Sequence, residues 1–250
     1  MPGTLYLIPN TLGNADASIT DPLSCIIPAN VQQLTARIDY FIAENAKTTR
    51  AFLKLIAVKN PLAKPLQEIE IAELNVNTDV GILPSLLAPL LAGRDAGLIS
   101  EAGVPAVADP GANLVRLAHV RGVTVRPLVG PSSLLLAVMA SGLSGQNFAF
   151  NGYLPVDPGQ RAKRIKELEE RSRHDKQTQL FIETPYRNGP LLGTLADTCH
   201  PATLVCVATD LTLPSESITT QTAAKWKSDL KSGKTPEFSK KPTVFLLLAD

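Results

Sequence analysis

The residues best suited to chemistry in this 250-residue chain are gathered in four short runs of small, polar and proline residues, each following an aliphatic stretch. The first is Pro9 to Asn14, after the apolar run Thr4 to Ile8. Gly13 permits a close turn, and Asn10 and Asn14 offer side-chain amides. The second is Ser100 to Gly111, with two carboxylates, Glu101 and Asp109, among prolines and glycines. Small residues let a ligand lie against main-chain N–H and C=O groups, and Glu101 could accept hydrogen bonds from ribose hydroxyls. The third is Gly130 to Ser133, whose hydroxyls and N–H groups open a helix and suit a carboxylate or phosphate. The fourth is Glu183 to Arg187, where Arg187 could pair with phosphate or carboxylate. Each run also has a plainer reading: an ordinary turn at Pro9 to Asn14, a helix cap at Asp109, a cap at Ser132 and Ser133, a surface ion pair at Arg187.

Other chemistries find no support. The chain has no G-x-G-x-x-G, no phosphate-binding G-x-x-x-x-G-K-[ST] loop and no G-x-S-x-G elbow. His119, His174 and His200 stand apart, and Cys25, Cys199 and Cys206 lack metal or disulfide spacing. The cysteines read as small hydrophobes in a reducing cytoplasm. A net charge of +1 gives no global attraction for nucleic acid or membrane. The chain opens on a strand-like run, so no signal peptide is expected, nor any membrane span.

The elements that must position these runs alternate in type. Strands are expected at Thr4 to Ile8, Ala96 to Ile99, Val123 to Val129, Phe148 to Leu154, Gln179 to Glu183, Leu204 to Ala208 and Thr243 to Leu248. Ile38 to Ala43 fits a strand, although helical spacing also fits Val31 to Phe41. Helices are expected at Thr48 to Ala57, Ile82 to Leu91 and Arg161 to Arg173. Another follows Asp109 as N-cap with Pro110 at the first helical position. Leu134 to Ala140, apolar all round, should be a buried helix. Ser228 to Pro242 reads as a mobile lysine-rich loop. The alternation implies an α/β chain with parallel sheets covered by helices, divided into residues 1–129 and 130–250.

In order, these runs resemble the tetrapyrrole methylase superfamily, and within it the small-subunit ribosomal RNA cytidine 2′-O-methyltransferase family. The corresponding runs are Pro9 to Asn14, Glu44 to Arg50 (E-N-A-K-T-T-R), Ser100 to Gly111 (S-E-A-G-V-P-A-V-A-D-P-G), Pro127 to Ser133 (P-L-V-G-P-S-S) and Glu183 to Arg187 (E-T-P-Y-R). The resemblance extends to about residue 220.

It implies two α/β domains, a cofactor cleft between them, a homodimer and S-adenosyl-L-methionine as cofactor. By position, cofactor contacts are expected at Pro9, Ser100, Glu101, Gly103 and Val104, then Ser132 and Ser133. Main chain near Ile182, Ala208 and Pro242 would complete the pocket. Glu44 or Asp16 would take the acceptor's proton, with Asn14 and Arg50 orienting the acceptor. Asn45, Lys47, Asn77 and Glu101 depart from the family pattern, mostly on the acceptor side. The resemblance implies an RNA ribose hydroxyl as the leading acceptor. A tetrapyrrole, protein side chain or other small molecule is the alternative. A cofactor-binding pseudoenzyme or dimeric interaction module is the reading from another class. The arginines and lysines between Arg161 and Arg173 could meet phosphates, but interleaved glutamates favour a solvated charged face.

Overall fold

A computed structural model describes residues 1–13 and 23–250. The chain forms two compact units, Met1–Ser132 and Ser133–Asp250.

The first unit runs β1 (Thr4–Ile8), α1 (Ala29–Ala36), β2 (Tyr40–Ala43), α2 (Ala46–Ala57), β3 (Glu70–Glu73), α3 (Leu83–Leu91), β4 (Ala96–Ile99), α4 (Ala112–Val120) and β5 (Thr124–Pro127). Its sheet has the order β3-β2-β4-β1-β5, and neighbouring strands pair in parallel throughout. The central strands are short aliphatic runs because a parallel sheet covered on both faces leaves no place for polar alternation. All four residues of β2 and of β4 are buried. One face packs Leu5, Ile42 and Leu98 against α3 and α4, through Leu87, Leu90 and Leu114. The other packs Ile8, Phe41 and Ile99 against Val31, Phe52 and Ile56. Gly97 lies where a Cβ would come within 2.4 Å of Ile8 Cδ1, so the strand admits no larger residue there.

The ambiguous stretch from Val31 to Ala43 is resolved as helix and then strand. The Tyr40 hydroxyl donates to Leu86 O at 3.0 Å, and Arg94 lies 5.0 Å from the Tyr40 ring while bonding Asp39 at 2.8 Å. These contacts begin β2 at Tyr40, downstream of the helical spacing.

The second unit comprises α5 (Ser133–Ser141), β6 (Phe148–Tyr153), α6 (Pro158–Asp175), β7 (Thr178–Ile182), α7 (Asn188–Thr198), β8 (Leu204–Thr209), β9 (Ser217–Thr222), α8 (Ala223–Ser232) and β10 (Thr243–Leu248). Its sheet order is β6-β7-β10-β8-β9. Only β6 and β7 pair in parallel; β10 is antiparallel to β7 and β8, and β9 to β8. The expectation of parallel sheets throughout fails here. The β8–β9 connection is too short for a helical crossover, and β10 inserts between two strands that point the other way. Stacked Phe181 and Phe245, with centroids 6.2 Å apart, and fully buried Trp226, donating to Val205 O at 2.9 Å, anchor the core.

Two further expectations are corrected. Helix α5 buries only Ala137, Val138 and Ser141, while Leu135 and Met139 are 53% and 79% exposed. An apolar circumference did not secure burial on every side. The lysine-rich stretch starts as helix, because α8 continues to Ser232 and closes on Gly233 in the left-handed region. Its remainder is tied down by Asn188, whose Nδ2 donates to Phe238 O and Lys241 O.

Candidate active site

In open α/β sheets, ligands bind beyond the carboxyl ends of the strands. In the first unit those ends are interlocked. β1 and β4 are neighbours with Ile8 beside Ile99. Just beyond, Asn10 N–H donates to Gly103 O at 2.8 Å, and Gly103 N–H to Thr11 O at 3.2 Å. The buried Asn10 side chain donates to Ser100 O at 3.1 Å and Glu101 O at 3.0 Å, while its Oδ1 accepts Thr11 N–H. This amide therefore acts as a strut between loops and is not free for a ligand. The loop after β5 closes on the same place: a Cβ on Gly130 would stand 2.2 Å from Pro9 Cβ. Gly103 takes φ +67°, which glycine adopts without the Cβ penalty.

The loop after β2 joins from the other side. Glu44 N–H donates to Ile99 O at 3.1 Å, and the Glu44 carboxylate accepts Glu101 N–H at 3.0 Å. Asn45 is the N-cap of α2, its Oδ1 accepting the N–H groups of Lys47 at 2.9 Å and Thr48 at 3.3 Å. Lys47 and Arg50 are exposed on that helix.

Asp109 is not a helix cap. Helix α4 begins at Ala112 with Gly111 as N-cap at φ +129°. The chain reaches it through Ala106 and Ala108, both at φ 65°. Left-handed alanines cost on the order of 1 kcal/mol each. The Asp-Pro pair imitated a cap signal, but the winding loop delays the helix. Asp109 is instead partly buried among the strand ends. Burial pushes its carboxyl up to about 6, the nearby Glu44 and Glu101 charges add to this, and a hydrogen bond with Ser100 opposes it. Three carboxyl groups, Glu44, Glu101 and Asp109, thus share one corner of the unit. Such a corner favours a cation.

Pro9, Ser100 and Gly103 are buried here, Val104 is half-buried and Glu101 is exposed. Ser132 ends the first unit and Ser133 opens α5 in the second. Within the second unit, Ile182 and Ala208 flank Val244 in one row across the sheet. Pro242 O accepts Asp210 N–H at 3.0 Å just before that row. Asn14 and Asp16 lie outside the described residues. The sequence marked the Asn10 amide and the Asp109 carboxylate as candidates, but not that Asn10 would brace the neighbouring loop or that Asp109 would be partly buried instead of capping a helix.

Elsewhere the chemistry is bland. Among the described residues no group of three His, Cys, Asp or Glu could hold a metal, and no helix is long and apolar enough to cross a membrane. Cys199 and Cys206 are buried, and burial pushes the Cys199 thiol up to about 12; Cys25 is exposed. Along α6, Arg161 is buried against Thr194, Arg164 pairs with Glu167 at 3.1 Å, and Arg171 with Asp175 at 3.5 Å.

The fold is that of the tetrapyrrole methylases. The chain is similar to the methyltransferase CobJ, with a TM-score of 0.62 at 17% identity over 99% of this chain and 94% of that one. It is similar to cobalt precorrin-4 methyltransferase CbiF, with a TM-score of 0.56 at 16% identity over 98% and 94%. No protein-family model matches the chain. Sequence relatives narrow the assignment. The chain is 30% identical over 223 residues to ribosomal RNA small subunit methyltransferase I of Xylella fastidiosa (strain Temecula1), covering 89% of this chain and 74% of the relative. It is 32% identical over 185 residues to the protein of that name from Streptococcus pyogenes serotype M3, covering 74% and 57%. The chain belongs to the ribosomal RNA small subunit methyltransferase I family. It is an S-adenosylmethionine-dependent methyltransferase. It spans between about half and three quarters of the length of its relatives.

Proposed function

We propose that the chain transfers a methyl group from S-adenosylmethionine to a ribose 2′-hydroxyl of ribosomal RNA. The observation that carries this reading is its relationship, over 89% of its length, to ribosomal RNA small subunit methyltransferase I.

The residues present fit the cofactor. Its cationic sulfonium suits a corner holding Glu44, Glu101 and Asp109. The exposed Glu101 carboxylate is available to ribose hydroxyls, and glycine at position 103 lets main chain approach closely. Pro9, Ser100, Val104 and Ser132 complete the first unit's part of the proposed contacts, and Ser133, Ile182, Ala208 and Pro242 are those proposed in the second. Bound there, the cofactor supplies an already activated methyl group. What remains for the chain is alignment and proton removal. Alignment alone can contribute about 7–11 kcal/mol in favourable cases. Proton removal needs a base whose affinity matches neutral pH. Asp109, pushed up to about 6, meets that requirement, with Glu44 beside it holding the loop and raising its proton affinity. Arg50, exposed on α2, and Asn14 orient the acceptor.

The exposed Leu135 and Met139, one turn apart on α5, suit a homodimer contact. A ribosomal RNA substrate would support a cytoplasmic location.

The test is transfer of labelled methyl from S-adenosylmethionine to small ribosomal subunits, with ribose methylation mapped in a strain lacking the gene. Label in a defined nucleotide that loses its methyl in that strain supports the reading. Label only in small molecules transfers the assignment to the tetrapyrrole-like alternative. Cofactor binding without any transfer supports the pseudoenzyme.

A further inference from the structure

We propose that two cross-braced turns of the second unit, residues 183–188 and 238–242, form a platform for unpaired RNA. Tyr186 stacks on a base, while Arg187 and Lys240 hold the flanking phosphates. The inference rests on RNA being the acceptor, and it names the surface that would grip it.

Tyr186 is 78% exposed, yet it is carried on a short helical turn fixed on every side. Arg187 N–H donates to Thr184 O at 2.8 Å, and Lys240 N–H reaches Pro185 O at 3.3 Å. Fully buried Asn188 donates to Phe238 O, Lys241 O and Thr243 Oγ1 at 2.9–3.1 Å, joining the second turn to the first. Phe238, 7% exposed, pins that turn from beneath. The main chain that carries Tyr186 is held in advance, which lowers the ordering cost of stacking.

The charges are set in the same way. The Glu183 side chain is wholly buried, and its Oε1 accepts Arg187 Nε at 2.9 Å and Nη2 at 2.5 Å. Its Oε2 is buried with no hydrogen-bond partner in the described residues, an arrangement that ordinary surface ion pairs do not show. The pair fixes one edge of the guanidinium and leaves Nη1 without a partner among the described residues, available to an anion. Lys240 is exposed and has no carboxylate partner there, while Lys241 neutralises buried Asp210 at 3.1 Å. The one acid on the turn, Glu237, accepts Ser239 N–H at 3.0 Å. Residues 231–241 hold Lys231, Lys234, Lys240 and Lys241 against that single acid.

An exposed aromatic on a braced turn, between cations, matches single-stranded RNA, whose bases offer free π-faces; a duplex keeps its bases stacked. The turns adjoin Ile182 and Pro242, two of the cofactor positions proposed in the second unit.

The experiment is fluorescence anisotropy of the full chain with a fluorescein-labelled unstructured RNA and its duplex, with S-adenosylmethionine affinity measured in parallel. Tyr186→Ala should weaken single-strand binding about tenfold and Tyr186→Phe by less than about twofold. Lys240→Gln should reduce the salt slope by about 1. Cofactor affinity should be unchanged in all three. Equal losses in the Ala and Phe variants, no loss in either, or tighter binding of the duplex would overturn the platform while leaving RNA as acceptor. Wild-type chain that binds neither RNA would overturn both readings.

Discussion

The Glu44 carboxylate accepts the main-chain N–H of Glu101 at 3.0 Å, joining loops 57 residues apart in the chain. One side chain thereby sets the shape of the cofactor loop and the charge beside it. Substitution separates the two roles. Glu44→Gln keeps an acceptor for the N–H but removes the charge. Glu44→Ala removes both. A hydrogen bond to a charged group contributes about 1.5–3 kcal/mol, less where solvent reaches it as here. We expect Glu44→Ala to weaken S-adenosylmethionine binding about tenfold, and Glu44→Gln by clearly less, by calorimetry. Equal losses would mean that charge, not loop shape, governs affinity.

Asp109 should leave a pH signature. Its folded-state carboxyl titrates near 6 against an ordinary value of 3.8. The unfolded chain therefore releases this proton more readily, and ionisation favours unfolding as pH rises from about 4 to 6. Above 6 the full destabilisation is present, up to about 3 kcal/mol. Asp109→Asn should raise Tm at pH 7.5 and leave it nearly unchanged at pH 4. The same variant should abolish the rise of methyl transfer centred near pH 6. A retained limb would assign the proton to another group.

What was legible in the sequence follows from burial. β1, β4, β8 and β10 are mostly apolar runs, since each lies inside a sheet. The edge strand β9, with the sequence Ser-Ile-Thr-Thr-Gln-Thr, is half-exposed and has no apolar run to mark it as a strand. Asn10 could not be read because its partners lie some 90 residues on. Asp109 was misread because Asp-Pro satisfies the local rule for a cap, and only the left-handed turns before Gly111 show that the helix starts later. The loops themselves were readable, because close main-chain approach needs glycine and proline; their mutual bonding was not.

The Asn10 strut should be costly to remove. Asn10→Ala deletes two donated bonds, to the buried Ser100 carbonyl and the part-buried Glu101 carbonyl, and one accepted bond. A loss of about 2 kcal/mol in unfolding free energy is expected from urea titration, with a larger proportional loss of cofactor affinity. A stable variant with normal affinity would show that the loops hold their shape without it.

Gly130→Ala tests the closest approach in the site. The new Cβ would stand 2.2 Å from Pro9 Cβ, so one of two proline-stiffened loops must move. Overpacking of this kind costs about 1–3 kcal/mol. We expect a lower Tm and weaker cofactor binding together. Gly122→Ala, where no atom lies within 4 Å but φ is +69°, should lower Tm without touching affinity.

The neighbouring of β1 and β4 has a consequence for synthesis. The loop after β1 leaves the ribosome early, yet its braces, Ser100, Glu101 and Gly103, are translated some 90 residues later. Until β4 emerges and slots beside β1, the first loop has nothing to hold it. A nascent chain stalled before Ala96 should therefore be unable to retain the cofactor, and one stalled at Ser132 should hold the braced loop yet still lack the contacts proposed at Ser133, Ile182, Ala208 and Pro242.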